Sequence, residues 1–323
     1  MSGFEKMKQA LKHVLRSPFG HGISRTLEGL GATRLSALSS RYTRYAPEEI
    51  PVVVPCSGGT SGRFVMAGAG GDDNVAFSLW CHGLEGYEPP FPSLYARLAM
   101  QSGVIVGVGA NSGLYELIAA ASSAIAAIYS FEPFPPAIEL LERNIALNGF
   151  EERIEVLKMA VSNTVGEQPF HVPAKTHGTI LETSSSLNPA FRPEHHEVLT
   201  VATTTLDHFA EERGIECIDL LHIDVESMEH AVLAGAVQVL KSHRPFVLIE
   251  VLEESDCDAL EQLRADSGYS SFWIDGSTFR LQSRLVCRLG AADQLLCPEE
   301  RCEELAGLLA DAGLGIQMAG TSP

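Results

Sequence analysis

Between residues 104 and 267, short apolar runs alternate with stretches of helical spacing. That alternation restricts the chain to a mostly parallel sheet covered by helices on both faces. "VIVGV" reads as a buried strand and 112–127 as a helix; "IYSFE" as a strand and 135–148 as a helix; "IEVLKMAV" as a strand. The unit then repeats, with "VLTVATTTL" before a helix at 206–213, "IDLLHIDVE" before one at 228–242 and "PFVLIEVL" before one at 256–267. "YSSFWI", "TFRLQ" and "RLVCRL" read as short closing strands, and a long irregular insertion spans 162–197.

Upstream the texture differs. Phe4, Met7, Leu11, Val14 and Leu15 fall at helical spacing and predict an amphipathic helix ending near Ser17 and Pro18, followed by a second helical piece and a linker over 20–50. Lys6, Lys8, Lys12, Arg16, Arg25, Arg34, Arg41 and Arg44 face only Glu5 and Glu28 there, whereas the whole chain carries a net charge of −18. A basic arm therefore precedes an acidic body. An acidic surface repels phosphate backbones, which argues against a nucleic-acid partner, and the arm is a candidate surface for homo-oligomer formation. "IPVVVPC", "GRFVMAG" and "VAFSLWC" read as strands, and "SLYARLAMQSG" as a helix. The expected organisation is a basic helical arm at 1–50, a strand-rich extension at 51–100, a cofactor-binding domain at 101–290 and a helical tail at 291–323. Seven scattered cysteines without a CxxC pair suit buried thiols in a reducing, cytoplasmic setting. No secretory leader is evident, and the apolar run at 117–128 is shorter than the roughly 20 residues a membrane span needs.

Gly107, Gly109 and Gly113 form GxGxxxG where the first parallel strand opens into a helix. Such a turn brings backbone close to a ligand at a helix N-terminus. Glu132 closes the next strand, in the place where a carboxylate accepts both hydroxyls of a ribose. An adenosine-containing cofactor follows. NAD prefers GxGxxG, but Ser112 stands where its third glycine belongs. S-adenosylmethionine has no phosphates and needs only a loose glycine loop, the ribose acid and an apolar adenine slot near Met159, Ala160 and Val161. No hydride-transfer couple follows the loop, so the methyl donor leads.

The stretches "VGVGANSGLY", "FEPFPPAIELLERNIALNG", "VLKMAVSN", "SSSL", "TTTLDHF", "IDLLHIDVESMEHAVLAGA" and "PFVLIEV", in this order over about 104 to 252, resemble the FkbM-type S-adenosylmethionine-dependent methyltransferase family; "DQLLCPEE" resembles its tail. The resemblance implies an α/β class I methyltransferase fold, Rossmann-like, with a mostly parallel seven-stranded sheet and one antiparallel strand. It also implies O-methylation of a hydroxyl on a small molecule such as a sugar or natural product. By position it assigns Gly107, Gly109, Ala110, Asn111 and Gly113 to the cofactor loop, Glu132 with Pro133 to the ribose, Met159 and Ala160 to the adenine border, and Asp224 to the neighbourhood of the methyl group. Three positions depart from the family's pattern. Gly107 replaces an acid that helps hold the methionine ammonium, His222 replaces a Lys, and Glu226-Ser227-Met228-Glu229 replaces Glu-Gly-x-Glu.

His222, Asp224 and Glu226 alternate in "HIDVE" and would share one face of a strand. Transfer to a hydroxyl needs a group that takes its proton, and Asp224, Glu226 or His222 would serve. Orientation of cofactor or acceptor is the other reading of Asp224, and a divalent cation on Asp224, Glu226 and Glu250 is the less favoured alternative. Ser184, Ser185, Ser186, His195 and His196 lie in the insertion, where acceptor selectivity or a plain solvated loop are both expected. The rival functions are a non-catalytic nucleoside- or partner-binding member of the fold and an NAD-linked oxidoreductase.

Overall fold

The structure is a computed structural model describing residues 47–55, 61–69, 73–173, 185–191, 195–287 and 293–318. The basic arm, with its predicted helices, lies outside the described residues. In chain order the elements are β1 (Glu49–Pro55), β2 (Ser61–Ala67), α1 (Asn74–His82), α2 (Phe91–Ala99), β3 (Val104–Val108), α3 (Leu114–Ser122), β4 (Ala127–Phe131) and α4 (Pro135–Asn148). They continue as β5 (Ile154–Leu157), β6 (Ala160–Val161), β7 (Gly166–Pro173), β8 (His195–Thr204), α5 (Leu206–Arg213), β9 (Leu220–Ile223), α6 (Glu229–Ala234) and β10 (Phe246–Glu250). Last come α7 (Cys257–Asp266), β11 (Tyr269–Asp275), β12 (Thr278–Gln282), β13 (Asp293–Pro298), α8 (Cys302–Asp311) and β14 (Gly315–Gln317).

Among the described residues nine strands form the main sheet, in the order β14-β12-β11-β13-β10-β9-β3-β4-β5. The block from β10 to β5 is parallel, whereas β13 pairs antiparallel with both β10 and β11, and β11 with β12. The expected seven strands with one antiparallel member are thus corrected to nine of mixed direction. Beyond β10 the chain returns through the β11–β12 hairpin, slots β13 between β10 and β11, and adds β14 at the edge. "DQLLCP" is therefore an interior strand, not part of a helical tail, and its buried Leu295, Leu296 and Cys297 explain the placement. Conversely "RLVCRL" forms no described strand. The Leu285 N–H goes to Glu261 Oε2 (2.9 Å) instead of a ladder, and Cys287 is joined to Cys257 by a disulfide that the scatter of cysteines did not announce.

Successive residues of the central strands feed two cores, as a pleated strand covered on both faces requires. Ile105, Leu220 and Leu248 meet Leu94, Leu117 and Leu305 on one side. Val106, Leu221 and Val247 meet Leu206, Phe209 and Leu260 on the other. The extension at 51–100 is less strand-rich than expected, because "VAFSLWC" is helical. Asp73 caps it by accepting from the Val75 N–H at 2.8 Å, and Val75 and Leu79, four apart, are buried on one face. The β1–β2 hairpin docks on α4 through Asn148 and Asn144, whose Oδ1 atoms accept from Val65 N–H and Ala67 N–H, each at 2.7 Å. Asn144 Nδ2 also donates to the Ser112 carbonyl at 2.7 Å, so one buried amide ties the extension to the glycine loop. β7, from the insertion, pairs antiparallel with β8, and β8 pairs parallel with β6, giving a separate three-stranded sheet in the order β6-β8-β7. The long helix expected at 228–242 is short α6 followed by a π turn at Val239–His243.

Candidate active site

The chain runs β3, β4, β5 outward to one edge and then returns to place β9 and β10 on the other side of β3. Ligands in such sheets bind beyond the carboxyl ends of the strands at this reversal. A cavity of about 260 Å³ opens there. It is walled by Gly109 and Asn111 after β3, Glu132 and Pro133 after β4, Ala160 and Val161 at β6, Asp224 and Glu226 after β9, and Glu250 at the end of β10.

Gly109 has a φ of +84°, and a Cβ there would meet the Asp224 carbonyl oxygen at 1.7 Å. Only glycine allows the loop to pass this close to the β9 exit. Asn111 adopts φ +50°. Its N–H donates to Glu132 Oε2 and the Phe134 N–H to Glu132 Oε1, both at 2.8 Å. Glu132 is thus held rigidly by the loops after β3 and β4. Burial raises its pKa to about 7, against the two N–H donors that lower it. Asn111 Oδ1 is buried without a hydrogen-bond partner at the cavity wall, ready for a donor from a ligand. Phe134, Ala137, Val161 and Phe170 supply apolar wall between the main sheet and the insertion.

Asp224 and Glu250 share a hydrogen bond between their carboxyl groups. Burial raises both, and Asp224's charge raises Glu250 further, so the pair holds a proton between them. Glu88 enters from the extension and accepts from Tyr115 Oη at 2.7 Å; burial raises its pKa too. Asp293 on β13 is lifted to about 7 by burial and by the charges of Glu88 and Asp224. Glu226 and Ser227 take φ values of +54° and +74°, so the turn expected to carry a glycine is left-handed without one. Its backbone is pinned from both sides. Ser186 Oγ donates to the Glu226 carbonyl (2.7 Å), Asn188 Nδ2 to Ser227 Oγ (2.9 Å), and the Ser227 N–H to Glu229 Oε1 (2.8 Å).

Several residues singled out in the sequence stand elsewhere. β9 ends at Ile223, so the alternation of "HIDVE" stops before Asp224. His222 points into the core, its ring centroid 4.0 Å from that of Tyr115 and 5.7 Å from that of Tyr95, and burial alone drops its pKa to about 3. It is not on the cavity wall. Gly107, Ala110, Gly113 and Met159 also lie behind the wall, Ala110 in the core and Gly113 as the left-handed N-cap of α3. Ser185 reaches the cavity; Ser184 and the side chains of His195 and His196 are outside the described residues. Asn74, Val75, Tyr87 and Glu88, which no motif marks, are also on the wall. An acid wedged between Tyr87 and the Pro89-Pro90 pair in "GYEPPF" was the available signal for Glu88. Among the described residues, no three His, Cys, Asp or Glu side chains are grouped to hold a metal ion, and no helix is long and apolar enough to cross a membrane.

A glycine loop, a buried acid at the end of β4 and a cavity at the strand reversal place the site where sheets of this α/β class bind ligands. The methyltransferase FkbM domain family matches residues 107–271, and the chain belongs to that family. It is an S-adenosylmethionine-dependent methyltransferase. Methyltransferase sdnD of Sordaria araneosa is 28% identical over 188 residues, covering 51% of this chain and 73% of that protein. The 2-O-methyltransferase NoeI of Sinorhizobium fredii is 28% identical over 172 residues, covering 50% and 68%. The solved structure of methyltransferase FkbM from Methylobacillus flagellatus aligns with a TM-score of 0.42 at 15% identity, over 71% of this chain and 54% of its own.

Proposed function

We propose that this chain methylates a hydroxyl of a small, uncharged or cationic molecule, with Asp224, backed by Glu250, as the group that takes the hydroxyl proton. The observation that carries this reading is the charge of the cavity. Glu88, Glu132, Asp224, Glu226 and Glu250 line it, and no described Lys, Arg or His does. Such a wall favours the sulfonium and ammonium of the cofactor, whose net charge is positive even with its carboxylate, and disfavours ligands of net negative charge. It also argues against an NAD-linked oxidoreductase, whose cofactor brings a pyrophosphate, and fits the relative named as a 2-O-methyltransferase.

The residues present fit S-adenosylmethionine. Glu132 is held to face a ribose, the unpartnered Asn111 Oδ1 awaits a donor, and Ala160, Val161, Phe134 and Phe170 offer an apolar slot. When bound, the cofactor supplies an electrophilic methyl group. The chain's own part is to hold the acceptor oxygen in line and to receive its proton at a carboxylate. Asp224 stands at the β9 exit against the loop, with Glu250 beside it to share the proton. Glu226 lines the same wall and is the alternative base. His222 is left neutral in the core. Tyr87, Glu88, Ser185 and Leu187 close the cavity from the extension and the insertion, which gives those segments the acceptor side.

The test is transfer from isotopically labelled cofactor to a panel of neutral polyols, amino sugars and uronic acids. Label on neutral or amine-bearing hydroxyl compounds is expected. Transfer confined to the uronic acids would overturn the charge argument.

A further inference from the structure

The insertion meets the turn between β9 and α6 through residues 185–188, whose side chains take alternate directions. Ser185 and Leu187 line the cavity. Ser186 and Asn188 reach the turn instead, Ser186 Oγ donating to the Glu226 carbonyl at 2.7 Å and Asn188 Nδ2 to Ser227 Oγ at 2.9 Å. The segment is itself held. Ser186 exchanges both backbone hydrogen bonds with His171 on β7, at 2.8 and 3.1 Å. Its Oγ also accepts from the Asn188 N–H at 3.0 Å, and Asn188 Oδ1 accepts from the Ala190 N–H at 2.9 Å. Both ends of the Asn188 amide are thus used, which fixes its orientation toward Ser227.

The turn needs such support. Glu226 and Ser227 both lie at positive φ, a region that residues with side chains seldom enter unless their surroundings hold them there. From the main domain, Glu229 Oε1 accepts from the Ser227 N–H, and Glu229 Oε2 accepts from Ser255 Oγ at 2.7 Å. From the insertion, Ser186 and Asn188 complete the hold. The same turn carries Asp224, Val225, Glu226 and Met228 on the cavity wall, so a shift of its backbone moves the proposed base. Ser185 Oγ is buried at that wall without a hydrogen-bond partner among the described residues, and Leu187 offers an apolar contact beside it.

We propose that this segment reads the acceptor and sets the base together. Ser185 and Leu187 are specificity-determining contacts for an acceptor that carries a hydrogen-bonding group next to an apolar one. Asn188 is a positioning residue: through Ser227 it holds the turn where Asp224 faces the acceptor oxygen. The assignment rests on the acceptor and base proposed above.

The experiment uses whichever compound of the polyol, amino-sugar and uronic-acid panel wild type labels fastest, at saturating S-adenosylmethionine. Leu187→Ala is expected to raise KM for that compound about tenfold, from the lost apolar contact. Asn188→Ala and Ser227→Gly each remove the same hydrogen bond. Each is expected to slow single-turnover transfer at saturating compound about 10- to 100-fold by displacing the turn, while S-adenosylhomocysteine binds to within about threefold of wild type. The double variant is expected to match the slower single variant to within about threefold, because the two lose one shared contact. Ser227→Gly eases a positive φ and keeps the test available if Asn188→Ala does not fold. Wild-type rates in both single variants, effects that multiply in the double variant, or a loss of S-adenosylhomocysteine affinity equal to the loss of rate would overturn the positioning role. An unchanged KM in Leu187→Ala would overturn the acceptor contact. Each of these results leaves the methyl-transfer reading standing. A wild-type protein that labels no compound of the panel would overturn that reading and this one together.

Discussion

Replacing Glu132 with Ala sets two opposing terms against each other. The substitution takes away the acceptor of the Asn111 and Phe134 N–H groups, both bonded at 2.8 Å. Unsatisfied buried donors cost about 1–3 kcal/mol each; with water from the cavity replacing part of the loss, we take about 2–4 kcal/mol for the pair. Against this, the carboxyl's pKa stands at about 7 instead of 4.5, which corresponds to about 3 kcal/mol of unfavourable burial once the group is ionised. Because the folded value is the raised one, wild type holds its advantage fully below the unfolded value and loses it as pH rises through about 7. Glu132→Ala is therefore expected to be less stable than wild type by about 2–4 kcal/mol near pH 5 and nearly equal to it near pH 8. Urea denaturation at the two pH values measures this. Calorimetry near pH 8, where the folds are matched, should then show S-adenosylhomocysteine binding about 10- to 100-fold more weakly, from the lost ribose contacts. The same stability deficit at both pH values would refute the burial argument, and unchanged affinity would refute the ribose role.

Three other outcomes follow from the same geometry. Gly109→Ala drives a methyl group into the Asp224 carbonyl at a φ of +84°, and should abolish measurable cofactor binding by calorimetry. His222, with its pKa near 3, should show no change of its imidazole NMR signals between about pH 8 and pH 5; titration in that window would mean it is not sealed against Tyr115. Asp224→Asn keeps the size of the proposed base but not its basicity, and should slow single-turnover transfer to a hydroxyl by about 10²- to 10⁴-fold with little change in cofactor affinity; a wild-type rate would exclude Asp224 as the base.

The strand–helix alternation from β3 to α7 was legible because buried parallel strands are near-continuous apolar runs and their helices are amphipathic. Glu132 and the glycine loop were legible because chain order fixes them at strand ends. What escaped depended on contacts distant in sequence. "VAFSLWC" is apolar enough for either element, and the Asp73 cap with the Val75–Leu79 face decided it as helix. β13 owes its interior place to pairing with β10 and β11, which no local pattern encodes. Alternation put His222 with Asp224, but β9 stops one residue too early for it to apply. Glu88 joined the site only when the extension was packed against the loop.

The most direct measurement of the central claim is a pair of calorimetric and thermal-shift titrations of the wild-type protein, one with S-adenosylhomocysteine and one with NAD. The acid-lined cavity over Glu132 predicts saturable binding of S-adenosylhomocysteine, with a stabilisation of about 2.7 kcal/mol at a hundred times its Kd, and no response to NAD. Binding of NAD without binding of S-adenosylhomocysteine would contradict the account.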